Sequence, residues 1–161
     1  MELILSRCAT KLQVYVCAGL LTMGGMFALV MTMFLGTAVA VHVYHFDEPI
    51  QLGLFLRIAI NGGLLASTFG AFALLCAASF SRFYSALGVS VAFLTLNYFV
   101  ALVSEWWPRV RFLHRATLFY LVYYSDIWQS WPVRNMLILA AILLFLAVCG
   151  GIVWHRRDLP L

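Results

Sequence analysis

The chain has 161 residues, of which 65% are hydrophobic and 10% charged, with a formal net charge of +4. Soluble domains carry roughly 25% charged and roughly 45–50% apolar residues, so this composition excludes an ordinary soluble domain and indicates an integral membrane protein. The basic residues stand at the ends of apolar runs, which is typical of membrane flanks and argues against nucleic-acid binding.

The apolar runs predict an all-α membrane protein with four transmembrane helices in a single domain, residues 1–161. Each run meets the length of roughly 20 residues that a helix needs to cross a bilayer. The first must tilt or project beyond the lipid, because it would be roughly 48 Å long at about 1.5 Å per residue. The predicted spans cover about 12–43, 58–80, 84–104 and 135–154.

The stretch at 106–125 is aromatic and apolar, but its apolar run is far shorter than a span. Bare backbone cannot face lipid, so such a segment either dips into the membrane and returns or lies flat at the interface. Pro108 supplies a break just ahead of it. The sequence therefore predicts a short re-entrant or interfacial helix on the outer side before the last span.

Small residues recur at every fourth position of the spans, a spacing that lets helix backbones approach closely in lipid. This pattern predicts a tight bundle. The positions are Gly62, Ala66 and Gly70, then Gly63, Ser67 and Ala71, with Gly24/Ala28 and Gly36/Ala40 in the first span and Ala147/Gly151 in the fourth.

Candidate chemical groups are few. The chain has no P-loop motif and Lys11 is its only lysine, so ATP-driven work would need another polypeptide. His42, His45 and His114 could converge on a metal or haem, although interfacial histidines are the more common reading and we expect no cofactor bound by this chain. No predicted span interior carries a charged residue, which argues against an ion-coupled pump and against a membrane enzyme.

The polar residues inside the spans leave two readings open. Asn97, with Thr95 near it, and Ser67 either form interhelical hydrogen bonds or contact a translocated substrate. Asn61 lies nearer the end of its predicted span.

Orientation is not decided by total charge, since the two sides carry equal numbers of basic residues under either topology. Arg7 and Lys11 flank the first span, which usually dominates, so we expect both termini in the cytoplasm.

Several stretches, taken in order, are similar to a known family. The opening MELILSRCATKLQVYV, the turn in FALLCAASFSRFYSALGVSVAFLTLNYF, the stretch EWWPRVRFLHRATLFYLVYY and the end GGIVWHRRDLPL carry the similarity. Together they resemble the C-terminal two-thirds of a six-span permease of ABC-2 type exporters.

The resemblance implies a permease subunit or fragment in a bacterial-type inner membrane, with both termini cytoplasmic. It implies a second permease chain in a dimer and a separate ABC ATPase that holds ATP and Mg²⁺ and docks on residues 1–11, through Glu2, Arg7 and Lys11. It also implies an outer gate at Trp106, Trp107, Tyr120 and Tyr124.

The first two spans of the family have no counterpart in this sequence. Either Met1 is an internal start, or the chain is a shortened permease that needs a partner. The competing hypothesis is a structural or cofactor-holding four-helix subunit of a larger membrane complex.

Overall fold

The computed structural model describes residues 10–43, 51–107, 111–114, 117–122 and 131–156, and every regular element in these ranges is helical. Four helices are long and apolar enough to cross a membrane, which confirms the predicted fold class and a membrane protein. They are α1 (Lys11–Val43), α2 (Leu52–Ser79), α3 (Phe83–Trp106) and α5 (Val133–Arg156). Between α3 and α5 lie the single-turn α4 (Arg111–His114) and a 3-10 helix (Leu118–Val122).

Helix α2 begins at Leu52, six residues before the predicted start of the second span at about 58. The prediction treated Arg57 as a boundary, but the apolar residues before it continue the helix back to Gln51, whose carbonyl accepts a hydrogen bond from Leu54 N–H at 3.0 Å. The expectation that no helix interior carries a charge was therefore wrong. The Arg57 guanidinium lies 5.3 Å from the centroid of the Trp131 ring, a cation–π contact that accommodates the charge.

Helices α1 and α2 pack antiparallel along the predicted small face of α2. A Cβ added at Gly62 would lie 3.9 Å from Val30, and one added at Gly70 would lie 3.4 Å from Thr22, so partner numbers fall along α1 as they rise along α2. A Cβ at Gly63 would lie only 2.7 Å from the Phe27 ring. A methyl group at this position would therefore force the Phe27 ring to move, whereas glycine lets the ring lie against α2.

Helix α5 packs tightly against α1 and α2 at Gly150. A Cβ there would overlap the Tyr15 hydroxyl and lie 3.3 Å from the Cα of Leu75. The Tyr15 hydroxyl donates to the Ala147 carbonyl at 2.8 Å, and Trp154 Nε1–H donates to the Lys11 carbonyl at 3.0 Å. These bonds tie the start of α1 to the end of α5.

The small residues predicted to pack on α1 do not do so. A Cβ at Gly24 or Gly36 would meet no atom within 4 Å, and Ala28 and Ala40 are exposed on the same face. The spacing of small residues identifies a helix face but not its neighbour. The face of α1 that meets α2 is instead formed by Thr22, Met23, Phe27 and Val30.

Helix α2 is the centre of the bundle, since it contacts α1, α3, α5 and the 3-10 helix and carries most of the buried residues. Helix α3 joins it through aromatic side chains: the Phe72 and Phe93 rings stack with centroids 4.1 Å apart. We call the end of the bundle at Lys11, Ser79 and Arg156 the terminal end. The other end, at Leu52 and Trp106, is the re-entrant end.

Candidate functional site

The 3-10 helix lies inside the bundle, against α2, α3 and α5. It meets α3 at Asn97, nine residues before Trp106, and α2 at Asn61, nine residues after Leu52. Nine helical residues correspond to about 13 Å along the axis. The 3-10 helix therefore lies well inside the bundle from the end of α3 and the start of α2, a position that fits the re-entrant form of the predicted segment.

Two asparagine side chains cap this 3-10 helix at its two ends. The Leu118 N–H donates to Asn97 Oδ1 at 3.3 Å, and Asn61 Nδ2 donates to the Leu121 carbonyl at 3.3 Å. The first N–H groups and last carbonyls of a helix lack partners within it, and lipid offers none. The two amides therefore supply hydrogen bonds that allow a short helix to stay inside the bundle.

Each asparagine is itself constrained. Asn97 Nδ2 donates to the Phe93 carbonyl of its own helix at 3.0 Å, which orients its Oδ1 towards Leu118. Asn61 is fully buried, and its Oδ1 accepts no hydrogen bond from any residue that the structure describes. This buried amide oxygen could accept a hydrogen bond from a ligand whose donor group enters the bundle beside Asn61.

An aromatic cluster supports the 3-10 helix from one side. Phe119 lies 5.7 Å from Phe69 of α2 and 6.1 Å from Tyr98 of α3, measured between ring centroids. Phe93 lies 6.0 Å from Phe69 in an edge-on arrangement. The same rings thus hold α3 to α2 and the re-entrant helix to both.

Among the described residues, the buried polar side chains towards the re-entrant end are Asn61 of α2, Ser104 of α3, Thr117 before the 3-10 helix and Asn135 of α5. None of these four is charged, although Arg57 lies one turn before Asn61 on α2. Over the described ranges, no group of three histidine, cysteine or acidic residues is placed to hold a metal ion. Such an arrangement can bind a neutral or hydrogen-bonding group, but it presents no nucleophile paired with a base.

The polar residues predicted from the sequence take three different positions. Asn97 lies in the site, where it bonds to the 3-10 helix. The Ser67 hydroxyl donates to the Gly63 carbonyl at 2.8 Å and lies 3.1 Å from the Met23 carbonyl, so it belongs to the contact of α1 with α2. Thr95 is exposed on α3.

The predicted outer-gate residues are partly described. Trp106 and Trp107 are 82% and 62% exposed at the end of α3, and Tyr120 lies on the 3-10 helix. Tyr124 lies outside the described residues. The side of the membrane that this end faces remains a prediction.

Of the predicted coupling residues, the structure describes Lys11. It is the first residue of α1, and its carbonyl accepts the hydrogen bond from Trp154 Nε1–H. Glu2 and Arg7 lie outside the described residues. Of the histidines proposed to converge, His42 is exposed in the last turn of α1, while His45 and the side chain of His114 lie outside the described part of the chain.

The capping role of Asn61 and the aromatic cluster were not predicted. A usable signal existed for the first: every asparagine in the chain, namely Asn61, Asn97 and Asn135, lies in a long apolar helix and is buried or half-buried. Asparagine is uncommon in a lipid environment unless its amide is bonded. No family model, curated protein or solved structure matches this chain.

Proposed function

We propose that this chain is the permease subunit, or a permease fragment, of an ABC-2 type exporter. A separate ATPase would supply ATP hydrolysis, and a second permease chain would complete the path. The observation that carries the proposal is the re-entrant 3-10 helix capped by Asn61 and Asn97, just before the last span. Backbone that interrupts the spanning helices at membrane depth is tolerated where it is buried in protein or lines a cavity, as in the broken helices of transporters.

In this proposal the terminal end is cytoplasmic and the ATPase docks on residues 1–11, through Glu2, Arg7 and Lys11. The bond from Trp154 to the Lys11 carbonyl supports a path for the motion, because it joins the start of α1 to the end of α5. Helix α5 also contacts the 3-10 helix. A push at residues 1–11 would then reach the re-entrant segment through one rigid helix.

At the other end, the 3-10 helix is the movable part. Hydrogen bonds of 3.3 Å to Asn61 of α2 and Asn97 of α3, together with the contact of Phe119 with Phe69, link it to both helices, so a shift of α3 relative to α2 would loosen it. Trp106, Trp107, Tyr120 and Tyr124 would border the exit on the outer side. Substrate would leave past these rings when the helix withdraws.

The test is co-purification with a P-loop ATPase encoded beside this gene. We expect a stable complex whose ATPase activity rises when the permease is present in vesicles. The double variant Glu2→Ala/Arg7→Ala should lose the complex, whereas Arg82→Ala, a charge change in the short turn between α2 and α3, should keep it. Unchanged binding by the double variant would contradict the docking assignment.

A second candidate is a structural or cofactor-holding subunit of a larger membrane complex. The observation that favours it is the exposure of two of the long helices: α1 buries only Tyr15 and Gly19, and α3 buries only Ala86 and Ser104. A Soret band or a stoichiometric metal in the purified protein would support this candidate over the permease.

A further inference from the structure

An open apolar groove lies at the terminal end, between α1 and α5 and above α2. Its volume is about 490 Å³, within the roughly 300–1,000 Å³ of sites that hold small ligands. Gly19 and Gly151 contribute no side chains to its walls, and the Tyr15 ring lies at its base. The hydrogen bond from Tyr15 to the Ala147 carbonyl fixes the two helices on either side.

The walls of the groove are almost wholly apolar. Leu12, Val16, Leu20 and Met23 form the α1 side, and Val148 and Ile152 the α5 side. From Leu12 to Met23 the groove extends about 16 Å along α1. This length corresponds to one leaflet, because the hydrocarbon core of a bilayer is roughly 30 Å thick in all.

The mouth of the groove is basic. His155 lines it, Arg156 is exposed beside it, and Lys11 begins the opposing helix. Among the described residues, the terminal end holds no carboxylate: the acidic side chain in these ranges is Glu105, at the re-entrant end. Glu2 and Asp158 lie outside the described residues.

We propose that this groove binds one acyl chain of an anionic phospholipid, with the lipid phosphate held by Arg156 and His155. The apolar walls match the chain, and the basic mouth lies at the depth of the headgroup. The Trp154 indole, bonded to the Lys11 carbonyl, sits at the same level, where tryptophan is common in membrane proteins.

The length of the groove favours a lipid over a transmembrane helix of a partner. A partner helix would pack along the whole thickness of the bilayer, whereas this groove ends at Met23, near the middle of α1. The basic residues at the mouth of the groove would attract the phosphate of an anionic lipid, whereas the apolar side of a partner helix offers them no negative charge.

The experiment is native mass spectrometry of the full chain, released from detergent after incubation with phosphatidylglycerol or phosphatidylcholine. We expect one phosphatidylglycerol to be retained in preference to phosphatidylcholine. Leu20→Trp should abolish retention by filling the groove, while Leu21→Trp should not. The two leucines are neighbours with 70% and 77% exposure, but only Leu20 lines the groove.

A second pair of variants tests the headgroup contact. Arg156→Gln should weaken phosphatidylglycerol retention about fivefold, which corresponds to about 1 kcal/mol for one arginine near a membrane surface. Arg82→Gln, the same charge loss at the same end but away from the groove, should change it little. The control variants Leu21→Trp and Arg82→Gln should both keep the helicity and the elution volume of the parent protein.

Three results would overturn the proposal. Equal retention by Leu20→Trp and Leu21→Trp would place the acyl chain elsewhere. Both lipids carry a phosphate but only phosphatidylglycerol has a net negative charge, so equal retention of the two by the parent would remove the preference for an anionic headgroup. Oxidative cross-linking of two copies through Leu20→Cys, with the native cysteines replaced, would put a second chain in the groove.

Discussion

The amides of Asn61 and Asn97 show how single polar side chains can determine the path of the chain through lipid. Each bonds to a backbone group at one end of the 3-10 helix that has no partner within that helix. Leaving such a group unsatisfied in a dry environment costs about 1–3 kcal/mol. Hydrogen bonds between helices in membranes average about 0.6 kcal/mol, which sets the lower end of the expected effect.

We therefore expect Asn97→Leu to lower the free energy of unfolding by about 1–2 kcal/mol, because the Leu118 N–H loses its acceptor. The measurement is unfolding by sodium dodecyl sulfate in detergent micelles. Thr95→Val is the matched control: Thr95 lies two residues away and is exposed, so its effect should stay within about 0.5 kcal/mol. Equal effects of the two substitutions would mean that the cap does not stabilise the fold.

At the scale of the helices, glycine matters only where two backbones meet. Gly150 lies at the crossing of α5 with α1 and α2, whereas Gly24 has open space beside it. The two residues are the same type in similar apolar helices. Substitution by alanine should therefore lower the free energy of unfolding at Gly150 but not at Gly24.

Gly150→Ala should destabilise the protein by about 1–3 kcal/mol, because its methyl group would overlap the Tyr15 hydroxyl. Gly24→Ala should be neutral or stabilising by up to about 1 kcal/mol, since alanine has the higher helix propensity. The same unfolding assay measures both.

The cause can be isolated with Tyr15→Phe, which removes the hydroxyl. Gly150→Ala should cost at least about 0.5 kcal/mol less in that background than in the parent, because the overlap is gone. The contact with the Leu75 Cα, at 3.3 Å from the added methyl, should leave part of the cost. An identical cost in both backgrounds would show that Tyr15 is not the obstruction.

At the scale of the whole molecule, four membrane-spanning helices would make an even number of crossings, so we expect Thr10 and Arg156 to lie on the same side of the membrane. The bond from Trp154 to the Lys11 carbonyl already brings the first residue of α1 beside the last turn of α5. The re-entrant segment does not change this count, since it returns to the end from which it enters.

Single cysteines test this topology in intact cells and in inverted vesicles. In a background without the native cysteines, Thr10→Cys and Arg156→Cys should react with an impermeant maleimide from the same side. Trp107→Cys, 62% exposed in the parent, should react from the opposite side. Labelling of Thr10→Cys and Arg156→Cys from opposite sides would mean an odd number of crossings.

The sequence by itself determined the class, the number of spans and the presence of a short segment before the last one. These follow from local composition: a run of roughly 20 apolar residues is sufficient for a span, and the run at 116–124 is too short. The predicted start of the second span at about 58 was wrong for the helix, which begins at Leu52. Arg57, though charged, can lie within α2 near the start of the helix because its guanidinium stacks on Trp131.

Only the tertiary structure decided which faces meet. The spacing of Gly24 and Ala28 resembles that of Gly62 and Ala66, yet only the second pair lies on the face that packs on a neighbouring helix. The reason is that spacing fixes a stripe on one helix, while contact depends on how each helix is rotated about its own axis. The meeting of Asn61, Asn97 and the 3-10 helix depends on the same rotations, across residues far apart in the chain.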